Sequence, residues 1–411
     1  MLLAVVNVFN YMDRMLLAVL LPDIQSDLDL SDTQLGLLTG LAFALFYALA
    51  GIPIARLADR WVRTRLITLS LVAWSGMTAL CGAAHSFWQL AAARVGVGVG
   101  EAGCVPASQS IISDYVPARQ RPAALAVHLA GASIGILIGM ALGGMLAQAV
   151  GWRTTFVVMG LAGLPLALLV HFTLKEPPRG HADGASSSVR LPSLGEAVRE
   201  LWARRSFVHL VLVYGIANLS TFGINQWAPT YYSRHFGLSM GQIGLMLGVA
   251  LGAGMTIGAL GGGFIANKLM RRDLRWGAWL CMAAAATAVP VTALTFVAPS
   301  YEIAIGATFV SAVLSGSTAG PITALVQSVA SPRVRALAAA VTVFAASLVG
   351  MGGGPLLIGM LSDALRPSFQ ADGLRIALLV ASFVPLWAVA QLGLASRWLV
   401  RDVAAASGHR V

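Results

Sequence analysis

The chain has 411 residues, 57% of them hydrophobic and only 11% charged. A soluble domain carries about 25% charged residues, so this is a polytopic membrane protein and size rules for soluble cores do not apply. The net charge of +10 would suit nucleic acid, but its distribution along the chain follows membrane topology and excludes that class.

Twelve apolar segments follow one another, at 1–21, 33–55, 66–84, 87–113, 122–148, 153–174, 207–232, 239–267, 276–298, 301–329, 336–364 and 373–399. Most are long enough to cross a bilayer with some tilt. All are expected to be helices, because lipid offers no partner to an open backbone. The first has no basic n-region and is too long for a cleavable leader; its abrupt start leaves room for a polar tail ahead of it. Cys81, Cys104 and Cys281 lie inside apolar segments without a close partner and are expected to be small buried apolar residues.

The first segment contains Asn10-Tyr11-Met12-Asp13-Arg14. Each charge costs about 2.5–3.5 kcal/mol at a helix centre, so such charges face a bundle interior or wet cavity and have partners. The fourth contains Arg94-Val-Gly-Val-Gly-Val-Gly-Glu101-Ala-Gly. Arg94 and Glu101 are seven apart, share a face and stand about 10 Å apart along the axis. By the same rule Asn10, Asp13 and Arg14 are expected on one face. Asp13 and Arg94 fall at similar depth, with Glu101 deeper. Gly98-x-Gly100-xx-Gly103 formally fits a dinucleotide fingerprint, but it lies within a membrane helix and follows no strand, which excludes that reading.

The loops set the orientation. Arg56, Arg60, Arg63 and Arg65 follow the second segment, Arg119 and Arg121 the fourth, and the central loop and tail are basic. Only Arg153, Arg234, Arg366 and Arg375 fall on the other side, whose first loop carries Asp23, Asp27, Asp29 and Asp32. The positive-inside rule places both termini and the central loop in the cytoplasm.

The chain also repeats. Ala55 to Arg63 matches Gly263 to Arg271 in spacing, Pro117 to Val127 matches Ser331 to Val341, and Gly151-Trp-Arg153 with Pro165 matches Gly373-Leu-Arg375 with Pro385. Residues 1–174 and 207–411 are thus expected as two parallel six-helix halves. A cytoplasmic linker, 175–206, joins them, with Pro177-Pro178, a Gly/Ser stretch and an amphipathic surface helix from Ser193 to Arg204. Glycines recur every four residues at Gly131, Gly135, Gly139 and Gly143, at Gly244, Gly248 and Gly252, and at Gly254, Gly258 and Gly262, a spacing that lets helices approach closely.

Two parallel six-helix repeats describe one transporter architecture. The Asp59-Arg60-xx-Arg63 loop, with its copy at Asn267-Lys268, resembles the signature loop of the major facilitator superfamily, and the resemblance covers essentially the whole chain. Ala55 stands where that family usually has Gly. Asn10 to Arg14 and Arg94 to Gly103 resemble the Spinster branch, whose members are similar to exporters of lipids such as sphingosine-1-phosphate and lysophospholipids. The resemblance implies an all-α integral membrane protein of twelve transmembrane helices, a monomer in a bacterial inner membrane, whose first and fourth helices line a cavity. It implies a gating latch in which Asp59 caps a helix of the other half and Arg63, near Arg60, pairs with Asp114. Gly135 to Gly144 partly resembles the superfamily's antiporter motif, but Met140 replaces its proline, so antiport is not assigned.

The two acids and two bases in the first and fourth segments allow proton coupling by Asp13 and Glu101, with Arg14 and Arg94 freed for an anion. The alternative is a static ion-pair network that fixes helix packing. Opposite them the second half offers Asn218, Ser220, Thr221, Asn225, Gln226, Ser311, Ser315, Ser317 and Thr318, with Trp227, Tyr231 and Tyr232. This asymmetry suits a lipid-like anion whose head meets Arg14, Arg94, Asn10 and Tyr47 and whose tail meets Asn218, Thr221, Asn225, Trp227 and Ser315. Alternatively the small polar residues bond across helices. His128 is either a packing histidine or a proton relay. The expected function is a proton-coupled or proton-gated secondary transporter of an amphipathic organic anion; the alternative is a general drug or organic-anion exporter. No enzyme constellation, metal cluster or soluble signalling domain is seen, and no cofactor is expected.

Overall fold

The computed structural model describes residues 1–117, 119–178, 193–331 and 333–406. The linker's Gly/Ser stretch and the side chain of Asp59 lie outside the described residues. Among the described residues every regular element is a helix: α1 (Leu2–Leu28), α2 (Asp32–Thr39), α3 (Leu41–Arg60), α4 (Arg63–Cys81), α5 (Phe87–Glu101), α6 (Cys104–Tyr115), α7 (Arg121–Leu161), α8 (Gly163–Thr173), α9 (Leu194–Trp202), α10 (Arg205–Phe236), α11 (Met240–Met270), α12 (Arg275–Val297), α13 (Tyr301–Val329), α14 (Arg335–Ala345), α15 (Gly354–Phe369), α16 (Gly373–Phe383) and α17 (Pro385–Ala406). A π-helical stretch, Ala346–Gly353, joins α14 to α15.

Nine helical runs are long and apolar enough to cross a membrane among these residues. Two of them, Ala123–Thr173 and Arg335–Ala406, each hold two of the predicted segments. The fourth segment is split after Glu101 into α5 and α6, each too short to count alone. The breaks follow the sequence. α7 passes through Gly151 at φ 79, a left-handed conformation that glycine adopts without steric cost, between the fifth and sixth predicted segments. α17 begins on Pro385 and α8 carries Pro165 near its start, where a missing N–H does no harm. These two prolines were matched by the repeat. α9 forms with Ser193 and Glu196 as a reciprocal capping box, Ser193 N donating to Glu196 Oε2 at 2.9 Å.

The chain packs as two compact units, Met1–Ser187 with Asn225–Gly252, and Ser188–Ile224 with Ala253–Val411. In the first, α1 is the buried core helix, with Leu16, Leu17, Leu20 and Leu21 fully enclosed. The glycine stripe of α7 lies along it. A Cβ on Gly131 would stand 2.6 Å from Ala4 O, and one on Gly139 2.6 Å from Met12 O. Gly139→Val is therefore expected to lower stability by about 1–3 kcal/mol through overpacking, read as a drop in melting temperature. Gly51→Ala, where a Cβ meets nothing within 4 Å, should leave that temperature unchanged. The Gly-rich run of α5 has the same physical origin: a Cβ on Gly98 would come 2.7 Å from Phe43 O and one on Gly100 2.8 Å from Trp74 N. These glycines bring α5 against α3 and α4.

The second unit has its own core of Phe207, Leu210, Val213, Cys281, Leu325, Val326, Val329 and Leu392, into which α9 inserts Ala197 and Leu201. α11 is shared. Gly248 and Gly252 pack on Leu137 and Ser133 of α7 in the first unit; Gly254 packs on Phe309 and Ala312 of α13 in the second, and Gly258 and Gly262 continue that contact.

Candidate functional site

Arg14 Nε donates to Glu101 Oε2 at 2.7 Å, in a pair whose carboxylate has no exposure. The guanidinium also lies 5.2 Å from the Tyr11 ring, 5.1 Å from Phe43 and 4.9 Å from Tyr47. Phe43 and Tyr47 stack at 5.6 Å, as residues four apart on α3 can. Arg94, 2% exposed, places its Cζ 5.2 Å from the same Phe43 ring. One aromatic residue thus touches both cations. Asn10, fully buried, stands against the Glu101 carboxyl. Nε and Nη1 of Arg94 and Nη2 of Arg14 are buried without a hydrogen-bond partner among the described residues. An unsatisfied buried donor costs about 1–3 kcal/mol, more when charged. A buried guanidinium left open in this way is a ready receptor for an anion.

Asp13 turns elsewhere. Its Oδ2 accepts from Thr78 Oγ1 of α4 at 2.7 Å, and it lines a small pocket with Trp74, Ser75, Gly160 and Gly163. Consecutive helical residues point about 100° apart, and Asp13 and Arg14 accordingly take different hydrogen-bond partners, Thr78 and Glu101. Asp13 still lies within electrostatic reach of Glu101, Arg94 and Arg14, so α1 contributes both Asp13 and Arg14 to one charge cluster. His128 bonds through Nδ1 to Leu3 O at 3.0 Å, and Asn7 Nδ2 donates to His128 O at 2.9 Å. Both bonds tie the start of α1 to α7, and His128 Nε2 is buried without a hydrogen-bond partner among the described residues.

In the second unit Asn218, Thr221 and Ser315 line one cavity of about 180 Å³ with Ala284, Ala288 and Ile322. Asn218 Nδ2 donates to Tyr214 O of its own helix at 2.7 Å. Ser220 bonds Ala381 O at 2.9 Å, Thr292 and Ser311 bond each other at 2.6 Å, and Thr318 bonds Ser315 O at 2.8 Å. Much of this polar set is thus satisfied within or across helices. Asn225 and Trp227 fall in the first unit, where Trp227 is fully buried.

Arg63 is the hub of the basic end. It is 2% exposed and pairs with Asp114. It also donates to Ser110 Oγ at 2.8 Å, Glu176 Oε1 at 2.7 Å and Pro177 O at 3.0 Å. Glu176 Oε2 in turn accepts from Thr64 N at 2.9 Å, capping the positive start of α4 where Val62 supplies no side-chain cap. Arg60 is exposed. Glu176 was not found from sequence; its only signal was an acid set directly before Pro177-Pro178.

A matching contact occupies the acidic end. Arg234 of α10 grips Asp32 with two bonds, at 3.0 and 2.5 Å, and also bonds Gln25, which itself donates to Asp32 at 2.9 Å. Asp32 and Arg234 were read only as topology markers. The missed signal was an arginine among the few cations of that side, opposite the acidic first loop.

A sequence profile of the Major Facilitator Superfamily matches residues 3–355. A protein described as an MFS-type efflux pump from Mycolicibacterium smegmatis is 35% identical over 386 residues, spanning 92% of this chain and 87% of that protein. A sphingosine-1-phosphate transporter of Danio rerio is 27% identical over 409 residues, spanning 92% and 79%. A crystal structure of a bacterial homologue of the human lysosomal transporter Spinster matches with a TM-score of 0.89 and 31% identity, over 98% of this chain and 97% of that one. The helix order, the internal repeat and these likenesses agree: the chain belongs to the major facilitator superfamily and is a membrane transporter, not an enzyme.

Proposed function

We propose that the protein is a proton-gated secondary transporter that moves an amphipathic organic anion, such as sphingosine-1-phosphate or a lysophospholipid, by alternating access across a bacterial inner membrane, with both termini in the cytoplasm. The observation that carries this reading is Arg94, a buried guanidinium with two open nitrogens, sharing the Phe43 ring with an arginine that Glu101 holds. While Glu101 is ionised it occupies Arg14. A proton on Glu101 removes that competitor and leaves two guanidinium groups for one anionic head, with Asn10 and Tyr47 beside them. Asp13, bonded to Thr78, is a second acid whose protonation changes the charge balance of α1. The second unit supplies a cavity lined by alanines with Asn218, Thr221 and Ser315, chemistry that suits a hydrocarbon tail. Arg63 with Asp114, and Asp59 and Arg60 just before Arg63 in sequence, form the cytoplasmic latch.

The test is flux of a fluorescent lysophospholipid into proteoliposomes across the acid-to-neutral range, for the unaltered protein and for Asp13→Asn and Glu101→Gln separately. The unaltered protein should show pH-dependent flux and Glu101→Gln a flattened profile. Unchanged pH dependence in both variants would sink the proposal. The likeness to an efflux pump favours a second reading, general drug or organic-anion export. Competition by structurally unrelated anions at similar strength would support it.

A further inference from the structure

The basic rim of the second unit carries a group of residues that the transport cycle does not use. Arg205 opens α10 and Arg401 lies in the last turns of α17. Both guanidiniums are exposed, and they converge on one indole: the Cζ atoms stand 4.5 and 5.9 Å from the Trp398 ring. α10 and the run ending at Ala406 are each apolar enough to span a membrane. Residues at the ends of such spans lie at the depth of the lipid headgroups.

The acids of this rim are engaged elsewhere. Asp402, next to Arg401 in sequence, is buried and accepts from Ser206 N and Oγ at 2.8 and 2.6 Å. Glu200 pairs with Arg204 at 2.7 Å. Glu196 closes the capping box of α9. Neither Arg205 nor Arg401 has an ion-pair partner among the described residues. Trp202 of α9 comes three residues before Arg205 in the chain and its ring lies 5.8 Å from that of Phe207 in α10, and α9 presents a second apolar face. Ala197 and Leu201 are docked into the core, but Val198 and Trp202, one turn apart, remain 38% and 52% exposed.

We infer that this rim is a binding site for an anionic phospholipid of the surrounding bilayer. Arg205 and Arg401, braced on Trp398, take the phosphate oxygens in the forked geometry that guanidinium offers. Val198 and Trp202 take the apolar region just below the headgroup, as amphipathic interfacial helices do. The site adjoins a helix of the transport unit: Arg204, two residues beyond α9, donates to the carbonyl of Val329, the last residue of α13, and α13 carries Ser315. The inference does not depend on which anion is transported.

Native mass spectrometry of the full chain, titrated with phosphatidylglycerol or phosphatidylcholine, tests it. Phosphatidylglycerol should bind more tightly than phosphatidylcholine. The double variant Arg205→Gln/Arg401→Gln should weaken phosphatidylglycerol about 30-fold, from two surface arginines acting on one anionic lipid. Arg401→Gln alone should give an intermediate loss. Arg119→Gln, an exposed arginine of the other unit, should change nothing. An excess of inorganic phosphate should not displace the lipid. Equal binding of the two lipids, an unaffected double variant, or displacement by phosphate alone would each overturn the proposal.

Discussion

Replacing Glu101 by alanine is expected to reduce transport about a hundredfold, as removing one member of a buried charge pair does, and to destabilise the fold by about 3–5 kcal/mol. The reason is the state in which it leaves Arg14. That guanidinium is nine-tenths buried and already has an unpartnered Nη2. Without Glu101 its remaining neighbours are the rings of Tyr11, Phe43 and Tyr47, each contributing about 0.5–2 kcal/mol, with the Tyr47 hydroxyl and the more distant Asp13. They do not replace a charge-assisted bond at 2.7 Å. Glu101→Gln keeps the shape and should be less damaging to stability. The double variant Arg14→Met/Glu101→Ala should recover most of the melting temperature, because a vacated buried pair is tolerated better than a broken one. It should not recover flux. A melting temperature unchanged in Glu101→Ala would mean that the pair does not hold the fold.

The second large effect is at the acidic end. Arg234→Ala is expected to shift the protein toward conformations in which the ends of α1 and α2 separate from those of α10 and α11. Arg234 grips Asp32 in fork geometry and Gln25 braces both. Hydrogen bonds to charged groups contribute about 1.5–3 kcal/mol, so losing this one shifts a two-state population by roughly 10- to 100-fold. Spin labels at Ser26→Cys and His235→Cys, both exposed, report the separation by pulsed electron resonance in a background lacking native cysteines. A longer-distance population should grow in Arg234→Ala and in Asp32→Asn. An unaltered distance distribution in both would show that the contact is only a surface ion pair, which contributes little.

What the sequence made legible follows from how each signal is written. Helix positions are local, so the apolar segments, the amphipathic helix beginning at Ser193 and the glycine stripes all read directly, and the spacing that matched Pro165 to Pro385 matched real helix starts. Intramembrane charge is rare enough that Asp13, Arg14, Arg94 and Glu101 were visible at once. What they bond was not. The Asp13–Thr78 and Arg14–Glu101 bonds join residues 65 and 87 apart, and a single sequence carries no record of which helices touch. Phe43 was hidden for a different reason: in an apolar segment a phenylalanine that contacts two cations looks like one that faces lipid. Asp32 and Arg234 were overlooked because loop charges already had an adequate explanation in topology.

The Arg14–Glu101 bond also has a consequence for how the protein is made. α1 enters the bilayer with two charges that each cost about 2.5–3.5 kcal/mol near a helix centre. The carboxylate that stabilises Arg14 emerges 87 residues later, and Thr78, the partner of Asp13, only shortly before it. Until α4 and α5 arrive, the first helix, though apolar enough to span, carries two charges without their partners. Its stable insertion is therefore expected to come late in synthesis, together with α4 and α5, rather than at its own turn. Nascent chains truncated before Glu101 should then be substrates for membrane proteases, and those extended beyond it should not.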